Sequence, residues 1–191
     1  MRSRPARAAA LCLLAASLAA GAAWAATAWQ TILGFSAIEF TGTLAGGEFK
    51  GRFGEFDADI VFDPTDLAGS RFWVVVQTGS ADTADAERDV SLRGPEFFDV
   101  ARWPTATFEA SRFRLIGPGR FEALGSLTMR GVTRDVPIRF EFEVPKGGPD
   151  ASLTGEATIR RLEFGVGQGE WRDTKWLGDE VRVRFGVVLK K

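Results

Sequence analysis

The chain has no histidine and no tyrosine, and its one cysteine, Cys12, lies near the N-terminus. Without His, and without Cys beyond position 12, no Cys/His or Ser/His nucleophilic pair is available. Zinc sites built on imidazole and histidine-ligated haem are excluded on the same ground. No disulfide can form within the body of the chain, so burial alone must hold it together. The remaining Asp and Glu allow a carboxylate-pair hydrolase on paper. Yet no two acids stand apart from ordinary surface charge, and nothing in the inventory points to a cofactor.

The first 25 residues are of a different kind. Arg2, Arg4 and Arg7 precede an Ala/Leu-rich run over 8–23, and Ala23-Trp24-Ala25 has the small-x-small form of a cleavage site. Ala26-Thr27-Ala28 offers a second cleavage position, after Ala28. The stretch reads as a secretory signal peptide. A membrane anchor is the weaker reading, because the run falls short of the ~20 apolar residues of a span. Leu11 before Cys12 lacks the small side chain of a lipoprotein site. The expected location is the periplasm. Setting 1–25 aside leaves 26–191 as one domain long enough to bury a core. There 21 basic residues face 25 acidic ones, a net charge of −4 with no basic stripe, so nucleic acid is not an expected partner.

What is abundant is phenylalanine, with 16 residues. The most informative stretch is FKGRFGEFDADIVFDP, residues 49–64. Phe49, Gly51 and Phe53 alternate on odd positions; Phe56, Ala58, Ile60 and Phe62 alternate on even ones. Each run has the period of a strand with one apolar face. The parity flips at Gly54-Glu55, where a β-bulge is expected to restore the register and bend the strand. Asp63-Pro64 ends it.

Eight strands are expected in all, over 30–43, 49–63, 71–80, 105–116, 119–130, 134–145, 151–164 and 180–190, separated by Gly/Pro turns. Short connections favour antiparallel neighbours. The alternation assigns inward faces: Phe72, Val74, Val76 and Thr78; Phe121, Ala123, Gly125, Leu127 and Met129; Val136, Ile138, Phe140 and Phe142; Val181, Val183, Phe185, Val187 and Leu189. Residues 81–104 interrupt the pattern with a helical insertion around Ala84 to Arg93, capped by Gly94, and a further turn after Pro95. Residues 165–179 form a second long loop. The fold class is all-β, an eight-stranded antiparallel barrel with the short helical insertion over one mouth. A two-sheet sandwich is the alternative. On these residues alone the Phe set either fills the barrel or lines a cavity.

An ordered set of motifs resembles the YceI-like family of secreted polyisoprenoid-binding proteins across 26–191. It begins with Ser36-x-Ile38-x-Phe40 and continues through Gly47, Phe49, Gly51, Phe53, Phe56, Ile60, Phe62, Asp63 and Pro64. Ser80, Thr83, Glu87-Arg88-Asp89, Leu92 and Phe97-Phe98-Asp99 follow. Next come Trp103-Pro104-x-Ala106-x-Phe108 and Gly125-x-Leu127-Thr128-x-x-Gly131-Val132-Thr133. Phe164-Gly165-Val166-Gly167 closes the set. Trp103 stands where Tyr is frequent, Ser91 where a His is usual before Leu92, and Ala84-Asp85 where a Gly is common.

The resemblance implies a lipocalin-like extended antiparallel barrel with a long apolar tunnel, and a binding or carrier protein rather than an enzyme. The implied ligand is a polyisoprenoid or another long amphipathic lipid, quinone-like chains included. The expected lining is Phe40, Phe49, Phe53, Phe56, Phe72, Phe108, Phe121, Phe140 and Phe164, with Ala58, Ala123 and Gly125 giving room. Arg88 on the helical insertion either meets a polar head group or makes an ion pair on the helix. Trp171 and Trp176 either close the other mouth or pack their loop. Gly165 to Trp171, GVGQGEW, also resembles domains joined to membrane b-type cytochromes, which implies such a partner. A filled accessory barrel, an enzyme acting on a bound lipid and a homodimer stay open.

Overall fold

The structure is a computed structural model that describes residues 28–32, 36–146, 148 and 150–190. The leader over 1–25, Cys12 and the cleavage position after Ala25 lie outside the described residues. The strands are β1 (Ala28–Thr31), β2 (Ala37–Leu44), β3 (Gly47–Phe53), β4 (Phe56–Val61), β5 (Arg71–Gln77) and β6 (Ala81–Asp82), followed after the insertion by β7 (Thr105–Gly117), β8 (Arg120–Met129), β9 (Val132–Glu143), β10 (Asp150–Arg160) and β11 (Glu180–Lys190). The helix α1 spans Ala86–Arg93.

All pairings are antiparallel, in the order β1-β4-β5-β7-β8-β9-β10-β11-β2-β3-β6, and β1 also pairs with β11. That last pairing, Gln30 with Lys190 and Thr31 with Leu189, closes the sheet on itself. β1 and β2 lie end to end beside β11; β3 and β4 together flank them, and β5 and β6 line up beside β3 and β4. Eleven strands therefore make eight staves. Closure pairs most strands on both sides and so limits the free edges that invite pairing with other chains. Among the described residues, β3 over 47–51 pairs with β2 alone, and β6 with β3 alone.

The stretch 49–64 is not one bulged strand. It is broken at Gly54-Glu55 into β3 and β4. Phe53 pairs with Ala81 and Phe56 with Val76, so the facing stave carries two more residues, taken up in a 3-10 turn over Thr78–Ser80. Hydrogen bonds from Gly54 N to Ser80 O (3.1 Å) and from Gln77 N to Glu55 O (3.0 Å) keep the two staves joined across the break. Strand 30–43 is likewise split into β1 and β2. The bulges lie in β7 instead, where Ser111 and Ile116 are extra to the β8 partner. The inward residues of β7 switch parity accordingly, from Ala106, Phe108 and Ala110 to Phe113. The same signal was present there in the sequence.

Turn chemistry fixes the hairpins. β2 and β3 meet through Ala45-Gly46, and β8 and β9 through Arg130-Gly131, both two-residue turns with positive φ at both positions. Asp85 caps α1 by accepting from Arg88 N; Gly94 ends it at φ −72, so no left-handed cap forms.

Candidate functional site

The barrel interior divides into a filled end and a hollow one. At the filled end Phe62 is 1% exposed and meets five rings: Phe142 at 4.9 Å between centroids, Phe121 at 5.0 Å, Phe140 at 5.3 Å, Phe113 at 5.8 Å and Phe72 at 5.9 Å. Trp29 packs edge-on to Phe142 and donates to Phe62 O. Such ring contacts are worth ~0.5–1.5 kcal/mol each beyond area burial.

Beyond Phe72 the packing stops. A cavity of about 230 Å³ runs between β2–β5 and β7–β11. Phe40, Phe53, Phe56, Phe108, Val183 and Phe185 are among its walls; Leu92, Phe97 and Phe98 from the insertion and Val166 and Leu177 from the 165–179 loop bound the end opposite the aromatic plug. Inward residues such as Ala58, Val74, Val76, Leu127 and Val181 remain only half-buried because they face this void. Glycines widen the wall for rings rather than for ligand. Gly51 lies opposite Phe40 and Gly42 opposite Phe49, and a Cβ at Gly42 would come within 2.7 Å of the Phe49 ring. A Cβ at Gly125 would strike the Phe108 ring.

Among the described residues, two on the wall carry polar side chains, and both are committed. Thr78 Oγ1 bonds to the carbonyls of Trp103 (3.0 Å) and Pro104 (2.9 Å). Arg161, 4% exposed, donates through Nε to Gly178 O (2.8 Å), through Nη1 to Val166 O (2.9 Å) and Gly167 O (3.5 Å), and through Nη2 to Trp171 O and Leu177 O (both 2.6 Å). Burial pushes its pKa below the ordinary arginine value, opposed by the charge of Asp179. Its donors point into the loop, so the cavity has an apolar surface even where a cation lines it. That surface can hold a slender apolar chain.

The insertion and the 165–179 loop together form a lid over the end of the cavity opposite the plug and are tied to each other. Gly167 N and Gln168 N donate to Glu96 O (both 2.8 Å), Trp171 Nε1 donates to Glu96 Oε2 (2.9 Å), and the Trp171 ring meets Phe97 at 5.4 Å. Arg130 Nη1 donates to the carbonyls of Pro95 and Phe97.

The YceI-like domain pattern matches residues 24–189. The chain belongs to the YceI-like family. A UPF0312 protein of Vibrio cholerae is 36% identical over 121 residues, 61% of this chain and 64% of that one. A Pseudomonas aeruginosa UPF0312 protein is 37% identical over 120 residues, covering 61% and 62%. The match thus spans less than two thirds of either relative. Among solved structures, Burkholderia cenocepacia BcnA superposes with a TM-score of 0.79 at 28% identity, over 83% of this chain and 98% of that one. A polyisoprenoid-binding domain from Saccharophagus degradans, implicated in plant cell wall breakdown, superposes at 0.66 over 85% and 97%. Its 12% identity speaks for the fold alone.

In this YceI-like barrel, Phe40, Phe49, Phe53, Phe56, Phe72 and Phe108 come together on the cavity wall, with Ala58. Phe121 and Phe140 do not reach it; they stack on each other at 5.6 Å within the plug. Ala123 is fully buried and Gly125 serves the Phe108 ring, so neither opens space for a ligand. Phe164 is buried in the turn after β10 and is not on the cavity wall, although Arg161 and Val166 on either side of it are. Arg88 also stays outside it. Its Nε donates to Thr83 Oγ1 (2.9 Å), its Nη2 pairs with Asp85 at 3.0 Å, and its guanidinium lies 5.0 Å from the centre of the Phe49 ring. Trp171 packs on Phe97, while Trp176 is 56% exposed.

Several lining residues were not among those the sequence placed on the wall. Leu92, Phe97 and Phe98 had a visible signal, apolar side chains in an otherwise polar insertion. Arg161 had one too: it continues the inward parity of Ala151, Leu153, Gly155, Ala157 and Ile159 on β10.

Proposed function

We propose that this protein binds and carries a long amphipathic lipid, a polyisoprenoid or a quinone-like chain, in its barrel, in the periplasm and without catalysing a reaction on it. The observation that carries the reading is the apolar cavity of about 230 Å³ whose two polar neighbours have spent their donors on carbonyls. Each methylene moved from water into such a wall is worth ~0.8 kcal/mol. A few five-carbon isoprene units therefore outweigh an association cost of about 4–15 kcal/mol. Affinity would come from length and burial, and the name of the Saccharophagus neighbour is consistent with that chemistry. The leader-like residues 1–25 support export. The GVGQGEW segment, whose sequence implied a cytochrome partner, has a role within the fold: Gly167 and Gln168 donate to Glu96 O, Trp171 Nε1 donates to the Glu96 carboxylate, and the Trp171 ring packs on Phe97.

The test is native mass spectrometry of gently purified protein with lipid extraction, followed by titration with prenyl alcohols. The expected result is a co-purifying or titratable chain, lost in Phe49→Ala and Phe53→Ala variants that keep the wild-type circular dichroism spectrum. A protein that arrives empty and refuses every prenyl chain would sink the proposal.

A further inference from the structure

We infer that Phe72 is the floor of the cavity and sets the length of the hydrocarbon tail it accepts, at about three to four isoprene units. The inference rests on the lipid-binding reading above and adds a selectivity to it. Phe72 belongs to both halves of the interior. Its side chain lines the cavity, and its ring also meets Phe113 at 4.8 Å, Phe140 at 5.2 Å and Phe62 at 5.9 Å. The residues beyond it, Phe62, Phe121 and Phe140, are 1–3% exposed, and none of them touches the void. A tail threaded from the lid end therefore meets packed rings.

The length follows from the staves. The β5 side chains that line the cavity run from Phe72 to Val76, and Thr78 lies just beyond the strand. Six residue steps at ~3.3 Å, inclined as barrel strands are by ~35–45°, give roughly 15 Å along the axis. On β11 the lining runs over the same number of steps, from Val181 to Val187. An isoprene unit adds four main-chain carbon–carbon bonds, roughly 5 Å when extended. A cavity of about 230 Å³ lies below the ~300–1,000 Å³ usual for ligand pockets. A longer tail cannot double back inside it, so its excess stays in water.

The experiment is a competition series with prenyl alcohols of two to eight units against a fluorescent apolar probe, on the wild type and two variants. For the wild type, affinity should rise at least tenfold per unit up to three or four units and then stay flat. Ala58→Leu fills space one layer above the floor, because Ala58 pairs with Val74 and its neighbour Ile60 pairs with Phe72. It should move the plateau down by about one unit. Phe72→Ala should move it up. Since that variant opens the core, its thermal transition is measured alongside, and Ala58→Leu, which packs into a void, carries the test if Phe72→Ala unfolds. Affinity that keeps climbing through eight units in the wild type overturns the inference. So does a plateau that neither folded variant moves. Failure to bind any prenyl alcohol overturns the lipid-binding reading itself, and the two failures are therefore distinct.

Discussion

Replacing Arg161 with Met should free the 165–178 loop while leaving the barrel standing. The side chain keeps its approximate volume but loses all five hydrogen bonds to Val166, Gly167, Trp171, Leu177 and Gly178. A buried carbonyl left without a donor costs ~1–3 kcal/mol, so five together would cost more than a loop can hold. The loop should instead open to water, and the loss is limited to its own stability plus the Phe97–Trp171 and Glu96 contacts. Removing the buried cation recovers part of its desolvation cost. The net local destabilisation is then about 2–4 kcal/mol. At 1.4 kcal/mol per decade this is roughly 30- to 700-fold faster amide exchange. Hydrogen exchange resolved by mass spectrometry should show it over 165–178 and not over β8 or β9. Arg161→Lys offers three donors at one point and should fall between the two. Unchanged exchange in the loop of Arg161→Met, or a Lys variant equal to the wild type, would refute the staple.

Three further outcomes follow from the packing and charge. In urea, Phe62→Ala should lose ~3–5 kcal/mol because five rings surround it. Phe108→Ala, facing the void, should lose only about 1–2 kcal/mol, and equal losses would contradict the division into plug and hollow. Gly51→Ala places a Cβ on the Phe40 ring and 2.8 Å from Thr83 Cγ2. It should cost ~1–3 kcal/mol by overpacking, read from the urea midpoint. The Asp63 carboxyl is held below its ordinary value near 3.8 by the Thr65 hydroxyl, then by the Thr65 backbone N–H. A lowered carboxyl pKa favours the folded state above the unfolded value, and that share is lost as pH falls through the folded one. The stability gap between wild type and Asp63→Asn should therefore close below the usual carboxylate range and stay constant above it. A gap that widens on acidification would reverse the assignment.

How much of this was legible beforehand differs from element to element. α1 was expected to start near Ala84 and starts at Ala86, after the Asp85 cap. The inward faces of β5, β8, β9 and β11 were readable because side-chain parity in a strand is local. The parity flip at Gly54-Glu55 predicts a bulge and the structure has a break, because such a flip has two solutions. Only the neighbouring stave, with its turn at Thr78–Ser80, chooses between them. The candidate site shows the same limit. Phe72 and Phe140 have the same chemistry and the same alternation, yet one borders the void and the other is locked in the plug.

The sequence by itself determined an all-β chain, its inward faces, its helical insertion, and the absence of histidine, tyrosine and body cysteine. These depend on residue type and short spacing. The tertiary structure decided which Phe residues fill and which line. It also brought together Glu96 with Trp171 and Arg161 with its five carbonyls. Those outcomes depend on how far each stave is sheared against the next, and that offset is set by closure around the barrel rather than by any one segment.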